Sequence, residues 1–118
     1  MIRPHVHQFL PLSPAVLQIL LALAGRDLHG YAIMQEVSRQ SEGKQKLGPG
    51  TLYDNLQKLI DRRLIRELGG RADDEDPRRR YYRITALGGS VLAAEIARLE
   101  NLIRDAKLRL PAARPRSA

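Results

Sequence analysis

Four arginines lie within six residues of one another in the second half of the chain. Arg78, Arg79 and Arg80 are consecutive, and Arg83 follows closely. Guanidinium groups form paired hydrogen bonds with phosphate and with guanine, and they fit a narrow minor groove. Four acidic residues, 73–76, precede the cluster with only Pro77 between, so a solvated set of ion pairs is the alternative. We expect this acidic tip either to project away from DNA or to hold the arginines when DNA is absent.

A second candidate group stands at residues 48–51, Gly-Pro-Gly-Thr, where the sequence predicts the start of a helix. Free backbone N–H groups and the positive end of a helix suit a phosphate. Lys46 precedes this start, and Lys58 follows on the predicted polar face. The carboxylate of Asp54 on that face would accept a hydrogen bond from a cytosine amino group or repel phosphate. Taken alone, the pattern is more typical of an ordinary helix start.

Catalytic and metal-binding chemistry finds little support in the sequence. The chain has no cysteine, which excludes disulfides, thiolate metal sites and cysteine nucleophiles. His5 and His7 have no further ligand cluster beside them and are interpreted as residues of an N-terminal arm. His29 precedes a predicted helix, where a side-chain cap or a phosphate contact fits better than catalysis. Because no nucleotide loop, metalloprotease motif or catalytic triad occurs, we predict no enzyme, no metal site and no cofactor.

Composition indicates one soluble domain with a polyanionic partner. The 118 residues suffice for one modest core. Twenty Lys and Arg against thirteen Asp and Glu give a net charge of +7, which favours nucleic acid or an anionic membrane face. The alternative is charge that serves only solubility. The composition, 43% hydrophobic and 28% charged, argues against disorder and against a membrane bundle.

The first 25 residues imitate a secretory signal, with Arg3 followed by an apolar run at residues 16–24. Pro11, Pro14 and Gln18 interrupt that stretch, and the run is too short to span a bilayer, which takes about 20 residues. We therefore predict a buried helix at this place, a cytoplasmic protein and no membrane partner.

Periodicity predicts the order helix, helix, helix, strand, strand, helix. Three helices with a two-stranded hairpin are typical of a winged helix-turn-helix, so the predicted fold class is mainly α with a small β-hairpin. The predicted helices span residues 14–24, 30–40, 49–63 and 86–110, and the strands 64–68 and 80–85 flank a loop at 69–77. The predicted organisation is an arm (1–12), a winged helix-turn-helix domain (13–85), a C-terminal dimerisation helix (86–110) and a disordered tail (111–118).

The last helix has the most regular apolar pattern. Its apolar residues are separated by four and three residues alternately, which is the heptad seam of a helix that pairs with another helix. We predict that this seam makes the protein a homodimer, and the alternative is a helix that folds back on its own domain. The predicted dimerisation residues are Leu92, Ile96, Leu99, Ile103, Ala106 and Leu110.

Several segments together resemble the PadR-like transcriptional regulators. They are Leu-His-Gly-Tyr-Ala-Ile (28–33), Gly-Pro-Gly-Thr-Leu-Tyr-Asp-Asn-Leu (48–56), Leu-Ile-Asp-Arg-Arg-Leu-Ile (59–65) and Arg-Arg-Tyr-Tyr-Arg-Ile-Thr (79–85). The resemblance implies a homodimeric winged-helix protein, usually a repressor, that binds DNA with its third helix and wing. It places Pro49, Gly50, Thr51, Tyr53 and Lys58 near the major groove, Arg78, Arg79 and Arg80 at the flanking backbone, and His29 and Tyr31 beside phosphate.

The sequence departs from the family pattern in two places. Asp54 and Asn55 follow Tyr53 where the family often has a proline, so base preference does not carry over, and the acidic run lengthens the wing. Because no aromatic residue follows Tyr82, we do not expect a pocket for flat aromatic compounds, and any small-molecule effector is unidentified. We predict a sequence-specific DNA-binding regulator that binds a pseudo-palindromic operator. The alternative is a winged-helix module for protein interaction whose basic charge is incidental.

Overall fold

The computed structural model describes residues 5–111, which form four α-helices, three short strands and one 3-10 helix. The fold class predicted from the sequence is confirmed, because the region is mainly helical with a small antiparallel sheet and a long last helix. In chain order the elements are the 3-10 helix Val6–Phe9, α1 (Pro14–Ala22), β1 (Leu28–His29), α2 (Gly30–Gln40), α3 (Pro49–Asp61), β2 (Ile65–Leu68), β3 (Tyr81–Ile84) and α4 (Ala86–Arg109).

Local signals fix where the helices begin. The Ser13 hydroxyl accepts a hydrogen bond from the backbone N–H of Val16 at 3.2 Å and caps α1. The Thr85 hydroxyl caps α4 in the same way, as expected for a side chain that satisfies an otherwise unpaired N–H. The predicted ends of α1 and α3 were two residues too late. Arg63 has a φ of 63°, a left-handed conformation that no helix residue adopts, so α3 cannot continue through it.

The wing is a three-stranded sheet, and the prediction of a two-stranded hairpin was incomplete. The strand order is β1-β3-β2, with both pairs antiparallel. The missing strand, β1, pairs Leu28 with Tyr82 and His29 with Tyr81. Along β3, Tyr82 is buried and Arg83 is exposed, as expected because successive side chains of a strand point to opposite faces. Through this additional strand, β1, the wing is connected directly to the start of α2.

The core lies between the helices and one face of this sheet. It receives buried side chains from α1 to α4 and from the start of β2. Gly88 allows α4 to approach the wing closely, because a Cβ there would lie 2.9 Å from the Ile84 Cγ1 and closer still to the Leu64 carbonyl oxygen. The main buried apolar residues are Ile19, Leu20, Leu23, Ile33, Val37, Leu52, Leu56, Leu59, Leu64, Ile65, Val91 and Leu92.

The described part of the N-terminal arm, residues 5–12, is packed on the domain. Phe9 and Leu12 lie against the core, and the backbone N–H of Leu12 donates to the Glu95 Oε2 at 2.7 Å. Glu95 is only 1% exposed. The hydrogen bond from the Arg98 guanidinium holds the pKa of the Glu95 carboxyl below its ordinary value. The buried carboxylate of Glu95 therefore ties the arm to α4. The predicted tail lies almost entirely outside the described residues.

Candidate nucleic-acid interface

A cleft of about 220 Å³ opens where α2, α3 and the wing meet. It is the place at which residues from three predicted groups come together. The start of α2, the aromatic side chain of α3 and the arginines before β3 all contribute to its wall. The lining residues are His29, Gly30, Tyr31, Tyr53, Arg78, Arg79, Arg80 and Tyr82. Six of these belong to the residues predicted to bind DNA, and the cleft carries three guanidinium groups.

His29 forms the rigid edge of the cleft. Its Nδ1 accepts a hydrogen bond from the backbone N–H of Ala32 at 3.2 Å, so of the two roles expected for His29 the structure shows the helix cap. The proton of the neutral ring lies on Nε2. The ring also packs edge-on against Tyr81, with the centroids 5.4 Å apart. Burial, together with the charge of Arg79, lowers the pKa of His29 below 6.5. The ring is therefore held neutral and in one orientation.

Tyr53 connects the two helices of the helix-turn-helix. Its hydroxyl lies over Gly30, so close that a Cβ at Gly30 would be 2.5 Å from the Tyr53 Oη. About half of the Tyr53 and Tyr31 side chains stays exposed. Both rings therefore offer an apolar surface and a hydroxyl group to a ligand in the cleft.

The N-terminus of α3 projects into solvent beside the cleft. Pro49, Gly50 and Thr51 are all exposed, and the N-cap residue, Gly48, provides no side-chain cap. The free N–H groups of this first turn are therefore available to a ligand. Lys46 and Lys58 are exposed as well, although neither lines the cleft. The predicted residues on α3 thus form a surface next to the cleft rather than part of its wall.

Each arginine of the cleft is paired with a carboxylate. The ion pairs join Arg78 to Asp76 at 3.3 Å, Arg79 to Asp74 at 3.3 Å and Arg80 to Glu67 at 3.1 Å. The Arg78 side chain is nevertheless 91% exposed and that of Arg80 is 65% exposed. Of the two arrangements expected for the acidic tip, the structure has the one in which acids hold the arginines.

Asp74 is the centre of this acidic tip. Its carboxylate accepts hydrogen bonds from the Tyr81 hydroxyl, from the Asp76 backbone N–H at 3.2 Å and from Arg79. The Tyr81 hydrogen bond is the main reason that the pKa of Asp74 lies below 3.8, and in turn Asp74 raises the pKa of Tyr81. Asp74 therefore stays ionised and orders the wing around the arginines.

Comparison with known proteins agrees with this geometry. A family model described as "Transcriptional regulator PadR-like family" matches residues 19–94, from the core of α1 into the first half of α4. The chain belongs to the PadR-like family. A protein of Lysinibacillus sphaericus, described as "Uncharacterized protein X", is 35% identical over 75 residues, which are 64% of this chain and 68% of that protein.

Solved structures show the same architecture for a PadR-like protein. A PadR family transcription regulator from Clostridium difficile has a TM-score of 0.71 and 21% identity, covering 83% of this chain and 99% of that one. A transcriptional regulator from Clostridium thermocellum has a TM-score of 0.66 and 25% identity, covering 82% and 89%. The protein is thus a PadR-family transcriptional regulator with the winged helix-turn-helix fold, a class that binds DNA and is not enzymatic.

The seam predicted on α4 of this PadR-like regulator is divided between two environments. Leu92 is 6% exposed and belongs to the core of its own chain, so it offers little surface to a partner helix. Ile96 and Ile103 are 39% and 52% exposed, and Leu99 is partly buried. Ala106 and Leu110 lie in the stretch 101–110, in which every residue is exposed. The apolar surface that α4 offers to a partner therefore begins at Ile96.

Asp27 is a wing contact that the sequence did not reveal. It lies in the turn after α1 and accepts two hydrogen bonds from the Arg83 guanidinium, at 2.9 and 2.7 Å. These bonds hold the pKa of Asp27 below 3.8. Arg71 also reaches Asp27, at 3.5 Å, and lies 4.1 Å from the centroid of the Tyr81 ring. Arg83 is therefore directed away from the cleft, and only three of the four clustered arginines face it.

Neither a metal site nor a membrane span is found in the part of the chain that the structure describes. Within residues 5–111, no three His, Asp or Glu side chains are grouped so that they could hold a metal ion. None of the helices in the same range combines the length and the apolar character that crossing a membrane requires.

Proposed function

We propose that this PadR-like regulator binds a pseudo-palindromic DNA operator as a homodimer and represses transcription from it. The observation that carries the proposal is the cleft, which brings the start of α2, the Tyr53 ring and three arginines to the exposed surface beside the N-terminus of α3. In this arrangement α3 enters the major groove, and the wing follows the flanking backbone. We place this activity in the cytoplasm.

The ion pairs of the wing suit an exchange of partners. In the free protein Arg78, Arg79 and Arg80 are held by carboxylates. Two of these side chains are mostly exposed, and exposed ion pairs contribute at most about 1 kcal/mol. A DNA phosphate offers the same guanidinium groups bidentate hydrogen bonds together with the release of counterions. DNA can therefore take over Arg78 and Arg80 at little cost to the fold of the wing, whereas the partner of Arg79, Asp74, is only 5% exposed.

The exposed half of α4 supplies the dimer contact in this proposal. Ile96, Ile103 and Leu110 recur at heptad spacing and are exposed in the single chain. Pairing two such helices buries these side chains and fixes the distance between the two α3 helices. Binding to successive major grooves requires a distance of about 34 Å. A change in the angle between the α4 helices, caused by an effector of unidentified chemistry, would alter that distance and release the DNA.

Fluorescence anisotropy with labelled duplexes tests the proposal. One duplex comes from the region upstream of the gene itself, and a scrambled duplex of equal composition runs beside it at two salt concentrations. The variant Arg79→Ala/Arg80→Ala should weaken binding and flatten the dependence of log K on log salt by about 0.9 for each phosphate that is no longer neutralised. A reporter gene under the same upstream region should be expressed more strongly when the regulator is deleted.

A matched control is available on the opposite side of α2. Arg26 and Arg39 both pair with Glu36, away from the cleft, so Arg26→Ala/Arg39→Ala removes the same charge without touching the proposed surface. This control should retain most of the affinity for the upstream duplex. If both double variants weaken DNA binding equally, the cleft contributes only its positive charge and makes no specific contact. Absence of binding to either duplex would overturn the proposal in favour of a module for protein interaction.

A further inference from the structure

Asp54 lies at the outermost position of α3. It follows Leu52 by two residues and precedes Leu56 by two, and both of these leucines are buried in the core. With 3.6 residues per turn, a residue midway between two core positions points away from the core. The Asp54 side chain is accordingly exposed. In the proposed DNA complex, this face of α3 is the one that meets the base edges.

The polar neighbours of Asp54 on α3 are already engaged within the helix. The Asn55 side-chain amide donates to the Thr51 backbone carbonyl at 2.9 Å. Further along, the Gln57 side-chain amide donates to the Asp61 Oδ1 at 2.9 Å. No ion pair in the described part of the chain holds the Asp54 carboxylate. Asp54 therefore presents an uncommitted acceptor at the centre of the outer face.

The chemistry of a carboxylate restricts what it can meet in the major groove. An ionised carboxylate only accepts hydrogen bonds, and the donors available there are the amino groups of cytosine and adenine. Guanine and thymine present acceptors, which a carboxylate repels. Adenine carries the N7 acceptor beside its amino group and is suited to an amide, whereas cytosine presents its amino group without a neighbouring acceptor on the same base.

From this placement we infer that Asp54 determines specificity by accepting a hydrogen bond from the amino group of one cytosine in each half-site of the operator. The inference rests on the proposed DNA-binding function. A carboxylate in the groove also repels phosphates, so it weakens binding to DNA that lacks the cytosine. Asp54 thus lowers the affinity for DNA in general and raises the discrimination between base sequences. The arginines of the wing supply the general affinity.

Selection from a random duplex library tests the inference, using the full chain and the variants Asp54→Ala, Asp54→Asn and Asp61→Asn. The wild type should select a motif with one cytosine preferred about tenfold in each half-site. Asp54→Ala and Asp54→Asn should lose that preference while binding scrambled duplex more tightly than the wild type does. Asp61→Asn makes the same charge change at the last residue of α3, and its Oδ1 can still accept the hydrogen bond from Gln57, so this variant should select the wild-type motif.

The outcomes separate this inference from the proposed function. If the wild type and Asp54→Ala select the same motif, Asp54 reads no base, although sequence-specific binding stands. Selection of adenine at the position that depends on Asp54 overturns the assignment to cytosine. If the wild type selects no motif, the proposed sequence-specific function is wrong, and the inference that rests on it is wrong as well.

Discussion

Residues 86–95 of α4 pack against the body of their own domain, whereas residues 96–109 extend away from it. The first stretch contains Val91, Leu92 and Glu95, all buried. In the second, every residue from 101 onward is exposed, and Leu102 and Ile103 are each more than half exposed. One continuous helix thus has a structural half and a half whose apolar face is uncovered in the single chain.

The apolar repeat runs unbroken from Leu92 to Leu110 in the sequence and gives no sign of this division. A repeat shows that one face of a helix is apolar, but it does not show what covers that face. In α4 the apolar repeat packs in the core of its own chain at Leu92 and faces solvent further along the helix. The dimer seam therefore stays a proposal, and the exposed surface available to it begins at Ile96.

The largest effect is expected from a charge placed in the exposed half. Ile103→Asp should convert the proposed dimer into monomers, since an unpaired carboxylate in an apolar contact costs several kcal/mol, and about 3 kcal/mol corresponds to a 100-fold weaker association. Light scattering over a range of concentrations measures the change. Circular dichroism should be unaltered, because Ile103 is already 52% exposed.

Asn101→Asp is the matched control for that substitution. It adds the same charge to the same half of α4, outside the seam, and an aspartate can still accept the hydrogen bond that Arg104 donates to Asn101. This variant should dimerise as the wild type does. Persistence of the dimer in Ile103→Asp would mean that the exposed half does not form the dimer interface.

A smaller effect, in the packed half, is expected from the pair Gly88 and Gly89. Gly88→Ala places a methyl group against the Leu64 carbonyl oxygen, and such overpacking costs about 1–3 kcal/mol. Gly89 has open space around it, so Gly89→Ala should leave stability unchanged or raise the free energy of unfolding by up to about 1 kcal/mol. Urea unfolding at constant pH measures both. Equal stability of the two variants would show that α4 does not depend on close approach to the wing.

The smallest effect concerns the ion pair at the boundary between the two halves. Because Arg98 holds the pKa of Glu95 below its ordinary 4.5, the charge of Glu95 contributes stability that is present above that value and is lost as the pH falls through the lowered pKa. Glu95→Gln should lower the free energy of unfolding by about 1 kcal/mol near pH 7, since the Arg98 side chain is 38% exposed and partly screened.

Urea unfolding at about pH 7 and about pH 3 checks the sign. The difference between the wild type and Glu95→Gln should shrink at the acidic pH, while Glu100→Gln, a change of the same kind at an exposed position on α4, should behave as the wild type at both. A difference that is equal at the two pH values would assign the effect of Glu95 to packing instead of charge.

Local rules accounted for most of the fold. The periodicity of the helices, the cap at the start of α2 and the heptad pattern of α4 each depend on residues a few positions apart. The strand Leu28–His29 could not be predicted in this way, since two residues show no alternation and the strand exists only through its pairing with β3. The docking of residues 5–12 was missed for the same reason, because its partner Glu95 is distant in the chain.

In the candidate site, too, contacts between residues close in sequence were predictable and contacts between distant residues were not. The acids that hold Arg78 and Arg79 stand within a few residues of them, so their pairing was among the expected arrangements. The ion pair between Arg83 and Asp27 depends on contact between β3 and the turn after α1. No pattern in the sequence predicts that contact. The types of residue at the candidate site were thus predictable, whereas the direction in which each arginine points was not.

The contact between Tyr53 and Gly30 has a consequence for substitutions at these two positions. A Cβ at Gly30 would lie 2.5 Å from the Tyr53 Oη, so a side chain there requires the Tyr53 ring to move away from α2. Removing the ring removes the atoms that such a Cβ would meet. The effects of Gly30→Ala and Tyr53→Ala on stability should therefore not be additive, although the two residues lie on different helices.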